Sequence, residues 1–173
     1  MKIIYRAVLT SILLMSAAFA ASSQAMANAS VTATILTTIS ITKIMDMNFG
    51  NISVQAQAGG TVILSPAGIR SATGGVTLPA TNGTVTAASF TVSGETIYTY
   101  SITLPLSPFI ITRASKDNNY MTVTAFQSNP SITGTLTAGT QTLNVGATLN
   151  VAAAQPAGIY TSTSGFVVTV NYN

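Results

Sequence analysis

The sequence predicts an all-β fold, an antiparallel sandwich, and three observations predict it. Runs rich in Thr, Val, Ile and Ala recur at short intervals after the first 27 positions. Turn residues punctuate those runs, among them Gly59-Gly60, Ser65-Pro66-Ala67-Gly68, Gly74-Gly75 and Asn82-Gly83. No stretch holds a helical period for long, so there is no crossover helix with which to build a parallel sheet. The expectation is one domain of roughly eight to ten short strands.

Residues 1–27 read as a secretory signal. Lys2 and Arg6 precede a mainly apolar run from Ala7 to Ala20, and Ala25-Met26-Ala27 forms a small-x-small cleavage site. Ala18-Phe19-Ala20 is an earlier alternative, with cleavage after Ala20 instead of Ala27. The run is shorter than the roughly 20 apolar residues a spanning helix needs. The protein is therefore expected to pass the inner membrane and enter the periplasm.

The first strand-like element is "VTATILTTISITK", Val31 to Lys43. Val31, Ala33, Ile35, Ile39 and Ile41 fall on one face, and Thr32, Thr34, Thr38, Ser40 and Thr42 on the other. "MDMNFGNISV" follows, then "TVIL" and, past the Asn82-Gly83 hairpin signal, "TVTAASFTV". Ser93-Gly94-Glu95 separates that run from "TIYTYSITLP", its expected antiparallel partner. Lys116-Asp117-Asn118-Asn119 is a charged turn leading into "YMTVTAF", and "SITGTLT", "QTLNV" and "ATLNVAA" are three further strands. The last, "GFVVTVNYN", sets Phe166, Val168, Val170 and Tyr172 on one face.

Composition excludes several functions. After residue 27 the charges are Lys43, Arg70, Arg113 and Lys116 against Asp46, Glu95 and Asp117, a net +1 with no basic cluster. Nothing there neutralises a phosphate backbone, so a nucleic-acid partner is dismissed. Without histidine or cysteine there is no Ser-His-Asp or Cys-His arrangement and no zinc site. The three carboxylates each fit a turn instead of facing one another as glycosidase acids do. No enzyme, metal or cofactor is expected. "LPATNG" (Leu78 to Gly83) superficially matches a sortase signal but lies mid-chain with no apolar tail, and the turn reading is preferred. The Tyr98 and Tyr100 side chains share a strand face, for which packing is the preferred reading over a sugar-binding patch.

So few charges would leave sheet edges open to aggregation, which suits a protein whose edges are covered by partners. At the passages "MNFGNISV", "SFTVSGETIYTYSITLP", "TLTAGTQTLNVGATLNV" and "PAGIYTSTSGFVVTVNYN" the chain resembles bacterial pilins of the chaperone–usher type. It is particularly similar to an exported, pilin-like domain family of unknown function. Many pilins carry a disulfide and this chain, with no cysteine, departs from them there.

The resemblance implies an incomplete immunoglobulin-like Greek-key sandwich, residues 39–173, completed by donor-strand exchange. Residues 28–38 would then be the donated extension, with Ala29, Val31, Ala33 and Ile35 as donor side chains. Phe166, Val168, Val170 and Tyr172 would form the acceptor edge, used first by a periplasmic chaperone and then at an outer-membrane usher. The implied partners are copies of this chain and other pilin subunits, and the fibre would meet a host or abiotic surface in adhesion or biofilm formation. Two alternatives stand beside it. A small outer-membrane β-barrel is also exported and built of alternating strands. A self-complemented secreted binding module would insert Val31 to Ile41 into its own sandwich, and alternation alone does not separate that from donation.

Overall fold

The computed structural model describes residues 24–115 and 119–173. Most of the signal sequence, and Lys116, Asp117 and Asn118 of the charged turn, lie outside the described residues. The chain divides into two units, Met1–Ile35 and Leu36–Asn173. In the first, residues 24–35 are exposed and carry no regular secondary structure.

The second unit is built of antiparallel strands. In chain order they are β1 (Ser40–Met45), β2 (Ser53–Val54), β3 (Gly60–Leu64), β4 (Arg70–Gly74), β5 (Val76–Thr77) and β6 (Ala88–Ser93). There follow β7 (Thr99–Thr103), β8 (Phe109–Arg113), β9 (Tyr120–Asn129), β10 (Thr133–Thr135), β11 (Thr140–Val151), β12 (Tyr160–Thr161) and β13 (Thr169–Tyr172). The largest sheet runs β1-β6-β11-β9-β8-β12, with β3 added to β11 and β4 to β3. A second sheet runs β10-β7-β13, and β2 pairs with β5.

β11 organises the core. Its sequence TQTLNVGATLNV alternates strictly, so Leu143, Val145, Ala147, Leu149 and Val151 are all buried on one face. Leu143 and Val145 pack with Ala88, Phe90 and Val92 of β6 and, from the second sheet, Tyr100 and Val170. Ala147, Leu149 and Val151 pack with Phe49, Val62, Leu64, Val76 and Val123. The change of neighbour happens at Gly146. Thr140–Val145 pairs with β6 and Ala147–Val151 with β3. A Cβ on Gly146 would collide with the backbone of Leu64 and Ser65, where β3 leaves the sheet. Two sheets burying one apolar face each against the other make a β-sandwich.

Four local expectations are corrected. β6 and β7 do not pair as a hairpin; they lie in different sheets. Val92 and Tyr100 instead meet across the core, which buries both strands' apolar faces. The chain turns between the sheets through Gly94 and Ile97, an exposed residue with φ of 66°. Asn82-Gly83 turns no hairpin either, since β5 pairs with β2 and β6 with β1 and β11. "QTLNV" and "ATLNVAA" form the single strand β11, because a glycine with unbroken period-two flanks continues a strand. Finally, strand structure in "VTATILTTISITK" begins only at Ser40. None of the described residues before Ser40 pairs with a strand, and an extended strand needs such a partner to hold its backbone groups.

Candidate functional site: the open edge at β1 and β13

β13 pairs with β7, with Thr169 opposite Thr103 and Tyr172 opposite Tyr100. The Asn173 amide donates to the Thr99 carbonyl at 3.2 Å. In an antiparallel ladder bonded and non-bonded pairs alternate, so the peptide groups of Asn171 and Thr169 face β7. Those of Val170 and Tyr172 face the other way, toward an edge that no described strand occupies. β1 likewise ends the large sheet, paired with β6 on one side alone among the described residues. β1 and β13 approach each other across the sandwich, so the two open edges border the same core.

The side chains along that border are apolar and incompletely covered. Ile39 and Ile41 come from the β1 side, and Phe166, Val168 and Tyr172 from the β13 side; all are half-buried, while Val170 is buried. Phe166 precedes β13 yet anchors it. Its ring meets Phe90 edge-on at 6.3 Å, Phe109 edge-on at 6.2 Å and Phe126 at 5.0 Å. Such pairs contribute about 0.5–1.5 kcal/mol each beyond area burial. The four predicted acceptor residues thus come together on one border. Phe90, Phe109 and Phe126, dispersed in sequence, complete the cluster and were not singled out by it.

The predicted donor residues are placed differently. Ala29, Val31, Ala33 and Ile35 belong to no strand, and Val31 and Ile35 are 93% and 96% exposed.

Just inside the second unit, Thr37 is held by a clamp. Its amide and hydroxyl donate to one Glu95 carboxylate oxygen at 3.1 and 2.8 Å. Its carbonyl accepts from the Tyr172 hydroxyl at 2.8 Å, and that hydroxyl also accepts from the Glu95 amide at 2.5 Å. The Tyr98 ring stands edge-on to Tyr172 at 5.9 Å. The hydrogen bonds from Thr37 hold the Glu95 carboxyl below the usual glutamate range, because they favour the charged form. Tyr100, by contrast, is 0% exposed; burial pushes its phenol up, and its hydroxyl donates to Gln141 at 2.8 Å. That places Tyr100 in core packing, whereas Tyr98 stays exposed and packs with its ring edge against Tyr172 alone among the described aromatic pairs.

The opposite end is fastened by Arg70. Its guanidinium donates to the carbonyls of Phe49 and Asn51, the latter at 3.0 Å, and to Asn82 Oδ1 at 3.1 Å. The Asn51 amide in turn donates to the Asn82 carbonyl at 2.7 Å. "MNFGN" and "ATNG" are therefore two loops pinned to each other. Asp46 pairs with Lys43 at 2.7 Å, and among the described residues no three His, Cys, Asp or Glu side chains gather as a metal site.

An all-β, antiparallel, sandwich-like domain with an apolar border between two open edges is the class of protein this geometry defines. The chain belongs to the DUF4402 family, a domain of unknown function whose model matches residues 39–172. No curated protein and no solved structure matches the chain.

Proposed function

We propose that the protein is a structural, non-enzymatic subunit of a cell-surface fimbria, an immunoglobulin-like sandwich lacking one strand that each copy receives from a neighbour. The observation that carries this reading is the outer edge of β13. There the peptide groups of Val170 and Tyr172 face an edge that no described strand occupies, beside the half-buried Ile39, Ile41, Phe166 and Val168. An extended segment laid along that edge gains main-chain hydrogen bonds and inserts alternate side chains, which is β-augmentation.

Residues 28–38 supply such a segment. Val31 and Ile35 are almost wholly exposed, so each brings about 1.5–3 kcal/mol on full burial. Ala29 and Ala33 add less, and each backbone bond adds about 0.5–1.5 kcal/mol net. The root of the segment is the clamped Thr37. The same border would be covered by a periplasmic chaperone before assembly at an outer-membrane usher, and the finished fibre would serve adhesion or biofilm formation.

Both rival readings fit less well. A membrane barrel needs a closed sheet, whereas the large sheet here has ends at β1 and β12. A self-complemented module would have Val31 to Ile41 inserted beside its own core; Ile39 and Ile41 do pack there, but residues 31–39 are in no strand and Val31 and Ile35 are exposed. The test is electron microscopy of material sheared from cells with and without this protein. Fibres that depend on it support the reading; its recovery as a soluble monomer with no fibre, or in the outer membrane as a heat-modifiable barrel, overturns it.

A further inference from the structure

The Asn82-Gly83 step turns no hairpin, and its place in a loop gives it another chemistry. It is the one Asn-Gly pair in the sequence. Both residues are exposed and outside any strand, and Gly83 holds a φ of 65°. Asn82 and Arg70, with Gly68, Leu78 and Val85, line an open depression of about 230 Å³, so the step is accessible to water.

The side chain of Asn82 is held by its oxygen. Arg70 Nη2 donates to Asn82 Oδ1 at 3.1 Å, and a guanidinium has no acceptor, so the bonded atom is the oxygen and not the amide nitrogen. A charged donor there draws electron density from Cγ. The main-chain carbonyl of Asn82 is held separately, by the Asn51 amide at 2.7 Å. The Gly83 amide donates to no group among the described residues, and Gly83 has no Cβ to crowd it. An electrophilic carbon thus sits next in the chain to a nitrogen that no hydrogen bond ties up.

We propose that Asn82 is a self-modification site, deamidated through the Gly83 nitrogen to an acid that pairs with Arg70. The Gly83 nitrogen gives its proton to solvent and attacks Cγ. The N–Cγ bond forms, negative charge collects on Oδ1 beside the guanidinium, and the Cγ–Nδ2 bond breaks. Nδ2 takes a proton and leaves as ammonia, giving a five-membered succinimide. Water then opens the ring, at Cγ to aspartate or at the main-chain carbon to isoaspartate. The sum is amide plus water to acid plus ammonia, with no oxidant, metal or second protein consumed.

Either product suits its surroundings. Among the described residues no carboxylate pairs with Arg70, whose partners are the Phe49 and Asn51 carbonyls and Asn82 Oδ1. An acid at position 82 supplies the counter-charge and turns a charge-to-neutral bond into an ion pair. Both products keep an oxygen on each of the two carbons whose oxygens Arg70 and the Asn51 amide now bind. The reaction therefore tightens the pinned loops as the protein ages. It stands apart from the assembly reading, whose readout is fibre formation.

The experiment incubates the purified, exported full chain at pH 7, folded or unfolded in urea, and maps position 82 by peptide mass spectrometry. The folded chain should release ammonia, gain the mass of an amide-to-acid change at position 82, and become a substrate for an isoaspartate-directed methyltransferase. Conversion should be at least as fast folded as unfolded, because only the fold sets Arg70 on Oδ1, while Asn51 and Asn144 stay amides. Asn82→Gln, whose ring would have six members, should lose both the ammonia and the isoaspartate signal. Asn82→Asp should melt higher than the parent, by a margin that added salt narrows. Conversion that is absent from the folded chain, or slower there than in urea, overturns the proposal, as does an Asn82→Asp protein that melts no higher than its parent.

Discussion

The hydroxyl of Tyr172 occupies the space that a side chain on Gly94 would need. A Cβ built at position 94 collides with that oxygen and approaches Leu136 Cδ1 at 3.0 Å. The absence of a side chain at Gly94 is therefore what lets the closing strand reach across to the Glu95 amide. Gly94→Ala should destabilise the domain by about 1–3 kcal/mol through overpacking. Tyr172→Phe alone leaves the Glu95 amide and Thr37 carbonyl without this partner, at about 1–2 kcal/mol. Because Phe removes the colliding atom, the double variant should be more stable than the two losses summed. Urea melts of the four proteins check the cycle; strict additivity would show that the contact is not there.

The Glu95 carboxylate makes the same clamp sensitive to acid. Its folded-state pKa lies below the ordinary 4.5, so its stabilising effect is complete above that value. It is lost as pH falls through the depressed pKa, when the carboxyl is protonated in both folded and unfolded chains. Glu95→Gln has no such titration. The melting-temperature difference between parent and Glu95→Gln should thus stay constant from pH 7 to about 5 and shrink below about 4.5. Because the carboxylate is only partly shielded from solvent, the difference should be small and visible best at low salt.

How legible this was in the sequence depended on range. Alternation in "GFVVTVNYN" put Val168, Val170 and Tyr172 on one face, which packs on the core, because period two is a local signal. Pairing partners were not local. β6 and β7 adjoin in sequence and read as a hairpin, yet burying both Val92 and Tyr100 required opposite sheets. The clamp was hidden for the same reason: Thr37, Glu95 and Tyr172 are brought together across 58 and 135 positions, and none is unusual in its own segment.

Arg70 offers a test of the opposite pole. One planar guanidinium serves Phe49, Asn51 and Asn82, which an ammonium cannot reach in the same plane. Arg70→Lys should cost about 1–3 kcal/mol even though the charge is kept. Hydrogen exchange gives the sharper readout. The Asn51 amide, bonded to the Asn82 carbonyl at 2.7 Å, should lose protection while the Glu95 amide at the other end keeps its own. Equal protection at Asn51 in both proteins would mean the loops hold each other without the arginine.

The donor assignment separates from simple folding by where a charge is placed. Val31 and Ile35 lie outside the second unit and are almost wholly exposed, so replacing both with Asp removes no packing from the domain. An ionised carboxylate entering an apolar border without a partner is opposed by several kcal/mol, enough to cancel what the two side chains would bring. The double variant should reach the periplasm in normal amounts, melt like the parent and form no fibres. Val168→Asp puts the same charge beside the core its own chain has already built, among Phe166 and Val170. That variant should fail earlier, as loss of the subunit itself on immunoblots of periplasmic extract. Two observations would break this division: parent-like fibres from the Val31→Asp, Ile35→Asp protein, or stable accumulation of Val168→Asp. The first would leave the alternation of "VTATILTT" without an assembly role, and the second would remove β13 from the border that the incoming strand is meant to complete.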